Sequence, residues 1–317
     1  VYLAIRAPYL DTLRLLGRSW IIISLIALTI VFLAPSIGKH WELHVGAWRG
    51  FFGEKNHYGG EMARANILFC ALLFLDKDHR KLWWFGFAIT FLSVLGSTSK
   101  TALLSMLIPY ACYAAYYLWS RSNLMGLFTV WAGASVLGVG YFILTGFPEE
   151  IVQLIGKDLT FTGRTDIWAL CVEYISERPW TGFGYAAFWT VEDGPAYYIQ
   201  NILDWDVPTA HNGWIEIGLS IGFPGIYVTI ALVLYTLIKS IWLATGKHGP
   251  VPFIFMLQIL LFSLSESLLL VQNTYASGLF IFYLSYVLVA RRVPDERKHT
   301  TRRPAGLTPR PLRKIIA

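Results

Sequence analysis

The sequence predicts an all-α polytopic membrane protein, and three observations support this fold class. The 317 residues are 55% hydrophobic, and their mean hydropathy is +0.51. Only 15% of the residues are charged, whereas a soluble domain of this size would have roughly 25%. Apolar stretches that could cross about 30 Å of hydrocarbon recur along the chain. We therefore expect one bundle of about eight transmembrane helices, with one large outer loop that contains short amphipathic helices.

Eight apolar stretches define the predicted spans. They are 19–35, 59–75, 83–97, 101–119, 123–144, 213–238, 251–269 and 274–290. Pro109 lies inside the fourth stretch, where a proline is expected to kink the helix. The chain starts at Val1 without a Met, and no signal peptide is visible. We expect residues upstream of Val1, including further spans, and a membrane domain that ends at residue 290.

The basic tail sets the predicted orientation. Residues 291–317 hold nine Lys and Arg, and such residues collect on the cytoplasmic side of a membrane protein. Counting back through the spans places the 145–212 loop outside, where Lys157, Arg164 and Arg178 accompany ten acidic residues. The tail is rich in Pro and basic residues, so we expect it to be disordered and to contact anionic lipid. Topology thus accounts for the net charge of +6, and nucleic acid is not an expected partner.

The sequence contains no pattern that indicates a cofactor or a metal. Cys70, Cys112 and Cys171 are scattered and have neither disulfide-type nor metal-type spacing. The P-loop and the zinc-protease helix motif are both missing from the sequence. We therefore predict no cofactor and no metal.

One segment of the outer loop has the period of an amphipathic helix, residues 165–177. Its apolar side chains fall on one face, namely Ile167, Trp168, Leu170, Cys171, Tyr174 and Ile175. Asp166, Glu173 and Glu177 fall on the opposite face. We expect this helix to lie along the membrane surface or to pack on the bundle.

Arg164 stands at the start of this helix. Free backbone N–H groups and the helix dipole favour anions at that position, and the planar guanidinium suits phosphate oxygens. The sequence leaves two interpretations open. Arg164 binds either a diphosphate, or lipid headgroups and an acidic residue of its own loop.

Aromatic residues follow the helix and a Pro-Gly turn. They are Phe188, Trp189, Tyr197, Tyr198 and Trp205. An aromatic belt at the membrane interface would explain them. A platform that stacks on sugar rings is the alternative.

His211 and Asn212 close the loop, directly before the sixth predicted span. Asn212 is a natural N-cap for that helix, and His211 has the side chain best suited to take a proton near neutral pH. Glu216 lies about one turn into the span, where we expect it to orient the imidazole. We place Asn212 and Glu216 among the candidate substrate-binding residues, although an interfacial histidine and a helix cap would also explain the pair 211–212.

Basic residues from distant parts of the chain gather on the predicted outer face. Lys55 and Arg64 flank the start of the second span, and Lys100 precedes the fourth. Because basic groups near lipid need a cavity or an anionic partner, this gathering indicates an anionic ligand. Two local explanations remain, since Lys100 could extend to the surface and Arg64 could pair with Glu61 along the helix. Glu266, near the outer end of the seventh span, is expected to pair with a basic residue of this set.

Five short motifs occur in an order, spacing and membrane context that one bacterial family shares. They are Phe52-Gly53-Glu54-Lys55-Asn56-His57, Ser97-Thr98-Ser99-Lys100, Gly163-Arg164-Thr165-Asp166-Ile167-Trp168, Glu177-Arg178-Pro179-Trp180-Thr181-Gly182-Phe183-Gly184, and His211-Asn212 with Gly218 to Gly225. The chain resembles the bacterial O-antigen ligase/polymerase superfamily on these motifs, which cover most of residues 50–226. Within that superfamily it is most similar to exopolysaccharide polymerisation proteins of the ExoQ type.

The resemblance implies a helical bundle similar to GT-C glycosyltransferases, a periplasmic 145–212 loop and a donor carried on undecaprenyl diphosphate. The growing polysaccharide would be the acceptor, and a flippase and chain-length or export proteins are candidate partners in the bilayer. Arg164 matches the loop arginine that binds the diphosphate in the family. Lys100 matches a position where relatives often have Arg, and His211 matches the residue proposed to activate the acceptor hydroxyl.

The predicted function is that of an inverting, metal-independent glycosyltransferase in the bacterial inner membrane, with a cytoplasmic C-terminus. It would polymerise exopolysaccharide repeat units on the periplasmic face. Lys100 and Arg164, helped by Lys55 and Arg64, would hold the diphosphate, and His211 would take the acceptor proton. A ligase that transfers glycan to lipid A core or to another acceptor would use the same donor. A solute transporter, such as the inorganic carbon transporters described among proteins with this domain, and a structural assembly partner are the alternatives of other classes.

Overall fold

The structure, a computed structural model, describes residues 9–41, 44–122, 124–129, 131–133, 135, 164–189, 194–203, 206–244, 251–267, 269 and 275–290. These residues form helices, and one isolated antiparallel bridge joins Lys39 to Trp48. The helices are α1 Tyr9–Leu33, α2 Pro35–Gly38, α3 Lys55–Leu75, α4 Arg80–Gly96, α5 Lys100–Arg121, α6 Arg164–Glu177, α7 Pro195–Leu203, α8 Gly213–Ile221, α9 Phe223–Ala244, α10 Val251–Ser263 and α11 Tyr275–Val289. The predicted all-α fold class is thus confirmed for the described part of the chain.

Several helices have the length and composition of membrane spans. Among the described residues, three are long and apolar enough to cross a membrane, namely Tyr9–Leu33, Lys100–Trp119 and Phe223–Ala244. Shorter apolar helices are Leu124–Gly133, Val251–Ser263 and Ser277–Val289. The helices fit a multi-pass membrane protein, whereas the count of eight spans stays a prediction.

Helix α3 occupies the centre of the bundle and packs against α1, α4, α5 and α10. Two glycines in its first turns permit close packing, because a Cβ on Gly59 would lie 2.5 Å from Ser97 Oγ. A Cβ on Gly60 would lie 2.2 Å from the Phe262 ring. The close packing buries the polar residues of the first half of α3 among its neighbours, including Glu61 and Arg64.

The described residues between 164 and 221 build a second unit, which we call the cap. Helices α6, α7 and α8 surround a small hydrophobic core there. This core consists of Ile167, Cys171, Ile175, Phe188, Ala196, Ile199, Val207, Ala210 and Leu219. The predicted amphipathic helix 165–177 is confirmed, since its apolar face packs into this core and Asp166, Glu173 and Glu177 are exposed.

The sixth predicted span, 213–238, is wrong as a continuous helix. It breaks at Gly222 into α8 and α9, and Gly222 has a φ of 77° in the left-handed region. A Cβ at this position would lie 2.5 Å from the carbonyl oxygen of Pro179, which accepts a hydrogen bond from the Phe223 N–H at 2.7 Å. Helix α8 consequently belongs to the cap, and α9 continues as the apolar helix.

Two other predicted boundaries need comment. The first span begins at Tyr9 rather than at residue 19, because the helix extends by several turns before the apolar stretch. Most of the fifth predicted span, 123–144, lies outside the described residues, as do residues 145–163 of the predicted loop and the tail 291–317.

Candidate functional site

Three separate segments bring Arg164, Glu266 and His211 into contact. Arg164 Nη2 donates a hydrogen bond to Glu266 Oε1 at 3.0 Å, and Arg164 Nη1 donates to the backbone carbonyl of Ser265. His211 Nδ1 lies 3.5 Å from Glu266 Oε2. One carboxylate therefore contacts both of the predicted catalytic residues, and we call these three residues the Glu266 group. The prediction that Glu266 pairs with a basic residue is confirmed.

The Glu266 group is shielded from solvent but is not sealed. The exposed fractions of the side chains are 14% for Arg164, 17% for Glu266 and 23% for His211. Burial by itself would raise the pKa of the Glu266 carboxyl, but the contacts with His211 and Arg164 outweigh it and hold the pKa below its ordinary value. The carboxylate is therefore ionised near neutral pH, and a ligand could still reach all three side chains.

The cap fixes the backbone around His211. Asn212 Oδ1 accepts hydrogen bonds from the N–H groups of Trp214 at 2.9 Å and Ile215 at 3.3 Å, so the predicted N-cap is confirmed. Asn212 Nδ2 donates to the Leu264 carbonyl at 3.2 Å. His211 itself has a φ of 50°, a left-handed conformation that is uncommon outside glycine and that clusters at functional sites.

Glu216 contacts other partners than the sequence predicts. Its Oε1 accepts from the Ala210 N–H at 2.7 Å and from Ser267 Oγ at 3.1 Å, and its Oε2 accepts from Trp189 Nε1 at 3.0 Å. The carboxylate beside the imidazole is instead that of Glu266. Glu216 ties the residue before His211 to the residue after Glu266, and its assignment to substrate binding stays a prediction.

The glycine-rich turn of the motif 177–184 packs against the C-terminal end of α8. Gly182 has a φ of 63°, and a Cβ there would lie 2.6 Å from the Ile221 nitrogen. The Phe183 N–H donates to the Leu219 carbonyl at 2.7 Å, and the Gly184 N–H donates to the Ser220 carbonyl at 3.1 Å. The backbone of the motif 177–184 is thus packed directly against the end of α8, the helix that Asn212 caps.

Arg64 and Lys55 lie on α3. Arg64 is fully buried, and its Nη2 and Nε donate to the carboxylate of Glu61 at 2.7 and 3.3 Å. The local alternative, an ion pair along the helix, is therefore confirmed. Arg64 Cζ also lies 5.0 Å from the centre of the Phe262 ring. Lys55 is buried at the first turn, where its backbone N–H donates to His40 Nε2 at 3.2 Å.

Lys100 is exposed at the first turn of α5. The preceding turn is tight, since Thr98 has a φ of 53° and Ser99 caps the helix by accepting from the Ala102 N–H at 3.3 Å. Ser99 Oγ also donates to Asn56 Oδ1 at 2.9 Å. The two motifs that contain Lys55 and Lys100 therefore meet at one end of the bundle. The proposed contacts of Lys55, Arg64 and Lys100 with a diphosphate stay predictions.

This end of the bundle also holds the Glu266 group. The Phe262 ring packs on Gly60 and Arg64 of α3, and Ser265 and Glu266 follow it within one turn. Cationic residues of α3, α5 and α6 therefore lie at the same end of the bundle. Within the described ranges there is no group of three or more His, Cys, Asp or Glu that could hold a metal ion.

Comparison with known proteins shows what the chain is similar to. A family model described as O-antigen ligase, Wzy_C, matches residues 85–230. This segment is therefore similar to the O-antigen ligase family. The resemblance that the motifs predict is confirmed, and the family segment contains Lys100, Arg164 and His211 as well as Asn212 and Glu216.

One curated relative extends the similarity beyond that segment. The chain is 25% identical over 284 residues to the exopolysaccharide production protein ExoQ of Rhizobium meliloti (strain 1021), a match that covers 83% of this chain. The chain spans 62% of the length of that relative. Together, the family segment and this relative show that the chain is similar to proteins of the O-antigen ligase and exopolysaccharide production type.

The contact of Glu266 with both catalytic candidates goes beyond the single basic partner that the sequence predicts for this residue. A signal for it exists, because Glu266 is the only acidic residue between residues 217 and 290. An isolated carboxylate in a long apolar region requires a partner. The sequence alone does not show that the partners come from two other segments.

Proposed function

We propose that this chain is a membrane glycosyltransferase that polymerises exopolysaccharide repeat units carried on undecaprenyl diphosphate. The reaction takes place on the periplasmic face of the inner membrane, inverts the anomeric centre and requires no metal. The observation that supports this proposal most directly is the Glu266 group, in which an arginine and a histidine from different segments contact one carboxylate. The group offers a phosphate-binding cation and a proton acceptor at one place.

The proposed reaction is a displacement at the anomeric carbon of the lipid-linked sugar. The acceptor hydroxyl oxygen forms the new bond to that carbon while the bond between the carbon and the diphosphate oxygen breaks. The hydroxyl proton passes to His211, and the diphosphate leaves on its lipid with the bonding electrons. Arg164 stabilises the negative charge that grows on the leaving oxygen, because a guanidinium matches phosphate oxygens in pairs.

Further cationic residues at this end would bind the rest of the diphosphate. Lys100 is exposed at the start of α5, where its flexible ammonium can reach a ligand. Lys55 and Arg64 are buried on α3. We therefore propose that their positive charges help to attract the diphosphate rather than bind it directly throughout the reaction. The exposed Tyr197 and Tyr198 of the cap would stack on sugar rings of the glycan.

The test uses the purified chain in liposomes that contain a lipid-diphosphate-linked oligosaccharide and a chelator of divalent metals. The wild type should build polymer, whereas Arg164→Ala and His211→Ala should each lower the transfer rate by about 10²-fold or more. Arg178→Ala is a matched control, since Arg178 lies in the same cap but stacks on Phe183 at 4.7 Å. Wild-type rates in both site variants, at equal amounts of folded protein, would contradict the proposal.

A ligase is the second candidate, because the matching family model is described as O-antigen ligase. Such an enzyme would use the same donor and the same three side chains, and only the acceptor would differ. Analysis of the product separates the two. A ladder of repeat units on lipid diphosphate indicates a polymerase, while single transfer of a finished glycan to another acceptor indicates a ligase.

A further inference from the structure

The Glu266 carboxylate divides its two oxygens between two cationic partners. Oε1 accepts a hydrogen bond from Arg164 at 3.0 Å, while Oε2 lies 3.5 Å from His211 Nδ1. The contact with Arg164 is therefore the closer one. In this arrangement, Glu266 holds the guanidinium more tightly than it holds the imidazole.

A diphosphate and a carboxylate are the same kind of partner for an arginine. Both present paired anionic oxygens, and both form charge-assisted hydrogen bonds with the guanidinium N–H groups. A diphosphate that binds Arg164 through the Nη2 group facing Glu266 therefore competes with Glu266 for that group. Because Arg164 is only 14% exposed, solvent weakens this competition less than it would at a fully exposed site.

The elements around Arg164 would allow such an exchange without a large movement. Arg164 stays anchored by its second contact, from Nη1 to the Ser265 carbonyl, and by α6, whose apolar face is packed in the cap core. Glu266 lies past the end of α10 at Ser263. A rotation of the Glu266 side chain would bring it closer to His211, which it already approaches.

We propose, on the basis of the proposed function, that Glu266 is an internal competitor of the donor's diphosphate for Arg164. When the diphosphate takes the guanidinium, the displaced carboxylate pairs with the His211 imidazole. Binding of the donor thereby places the Glu266 carboxylate beside His211, the residue that accepts the proton. A carboxylate beside the imidazole orients the ring and stabilises the positive charge that forms as it takes the acceptor proton.

This role has a kinetic signature that a structural role lacks. Glu266→Gln keeps the shape and a hydrogen-bond acceptor but removes the competing charge. The diphosphate should then bind more tightly, while transfer should be slower because the imidazole has lost its carboxylate. A residue that only held Arg164 in place would weaken binding when changed.

The experiment measures binding of undecaprenyl diphosphate to the purified full chain in lipid nanodiscs, together with the transfer rate at saturating donor. For Glu266→Gln we expect a Kd that is lower by about tenfold and a transfer rate that is lower by roughly 10²-fold. Glu266→Asp keeps the charge and should bind as weakly as the wild type. Asp166→Asn is the charge control, because this exposed residue lies on the same helix, α6, as Arg164, and its Kd should be unchanged.

The outcomes separate this inference from the function on which it rests. If the wild type binds the diphosphate and Arg164→Ala does not, the site is as proposed. An unchanged or higher Kd in Glu266→Gln would then overturn the competition alone. If the wild type itself fails to bind undecaprenyl diphosphate, both the proposed function and the proposed competition are wrong.

Discussion

Among the described residues, Asp76, Glu266 and Glu61 each contact both an arginine and a histidine, and the groups around Asp76 and Glu266 are built in different ways. In the Glu266 group, Arg164 gives one hydrogen bond and His211 stands at 3.5 Å. In the second group, Asp76 accepts two hydrogen bonds from Arg14, at 2.8 and 2.9 Å, and one from Trp83 at 3.0 Å. Its carboxylate also lies 3.1 Å from His79 Nδ1. We call Arg14, Asp76, His79 and Trp83 the Asp76 group.

The two groups also lie at opposite ends of α3. Asp76 directly follows the last residue of α3, whereas the Glu266 group lies beside its first turns, past the Phe262 ring that packs on Gly60. A helix of 21 residues is about 30 Å long. The Asp76 side chain is completely buried, and its four contacts with Arg14, His79 and Trp83 join α1, α3 and α4.

The difference teaches how the same residue types serve two purposes. A carboxylate whose partners satisfy it completely fixes helices and leaves nothing for a ligand. A carboxylate that is divided between two weaker contacts can exchange one of them. We therefore interpret the Asp76 group as structural and the Glu266 group as functional, and each of the following predictions tests that division.

The largest expected effect on stability comes from Asp76→Asn. Removing the charge leaves the Arg14 guanidinium without its main partner, and breaking a buried charge pair is strongly destabilising. We expect the melting temperature in detergent to fall by roughly 5–10 °C. Asp78→Asn is the matched control, because Asp78 is exposed two residues later and should leave the melting temperature unchanged. An equal effect of the two variants would contradict the structural role.

The second prediction concerns the packing that holds the cap. Gly222→Ala places a Cβ 2.5 Å from the Pro179 oxygen and forces a non-glycine residue into a left-handed conformation, which costs about 1–3 kcal/mol. The displaced α8 should lower the transfer rate while the bundle stays folded. Gly278→Ala is the control, since a Cβ there has nothing within 4 Å. Wild-type activity in Gly222→Ala would show that α8 does not need this contact.

The smallest effect is expected from pH changes near neutrality. The hydrogen bonds from Arg14, followed by those from Trp83 and His79, hold the pKa of Asp76 well below its usual range, although burial opposes them. A carboxyl whose pKa is lowered by folding stabilises the protein above its unfolded pKa, about 3.9, and that stabilisation is lost as the pH falls through the folded pKa.

The stability difference between wild type and Asp76→Asn should therefore stay constant between about pH 8 and pH 5 and narrow only below about pH 4. Thermal melts of both proteins across this range measure it. If the stability difference between the two proteins disappeared between pH 7 and pH 5, protonation of a histidine, and not of Asp76, would determine the pH dependence of stability at this end of the bundle.

Local patterns in the sequence predicted the elements whose causes are local. The amphipathic helix, the Asn212 cap and the Glu61–Arg64 pair each depend on spacing within one or two turns, and all three were recognisable. The break at Gly222 was missed, because residues 213–238 are mostly apolar, although Gly222, Pro224 and Gly225 are typical of a helix break. The structure adds the contact with Pro179 that fixes the break.

The site shows the same limit. Arg164 and His211 were identified from helix-end chemistry and from the family motifs, but the carboxylate beside His211 was assigned to Glu216 because that residue is close in sequence. The structure instead supplies Glu266 from the segment after α10, which no periodicity could have placed there. Long-range pairing is decided by the packing of helices, and a single sequence contains no measure of it.

The division between the two groups is tested most directly by a matched pair of histidine variants. We would measure the rate of a single transfer from a lipid-diphosphate-linked donor, per molecule of folded protein, in His211→Ala and in His79→Ala. The account predicts a rate that is lower by about 10²-fold or more in His211→Ala and unchanged in His79→Ala. Equal rates in the two variants, whether both normal or both abolished, would contradict the assignment of catalysis to the Glu266 group.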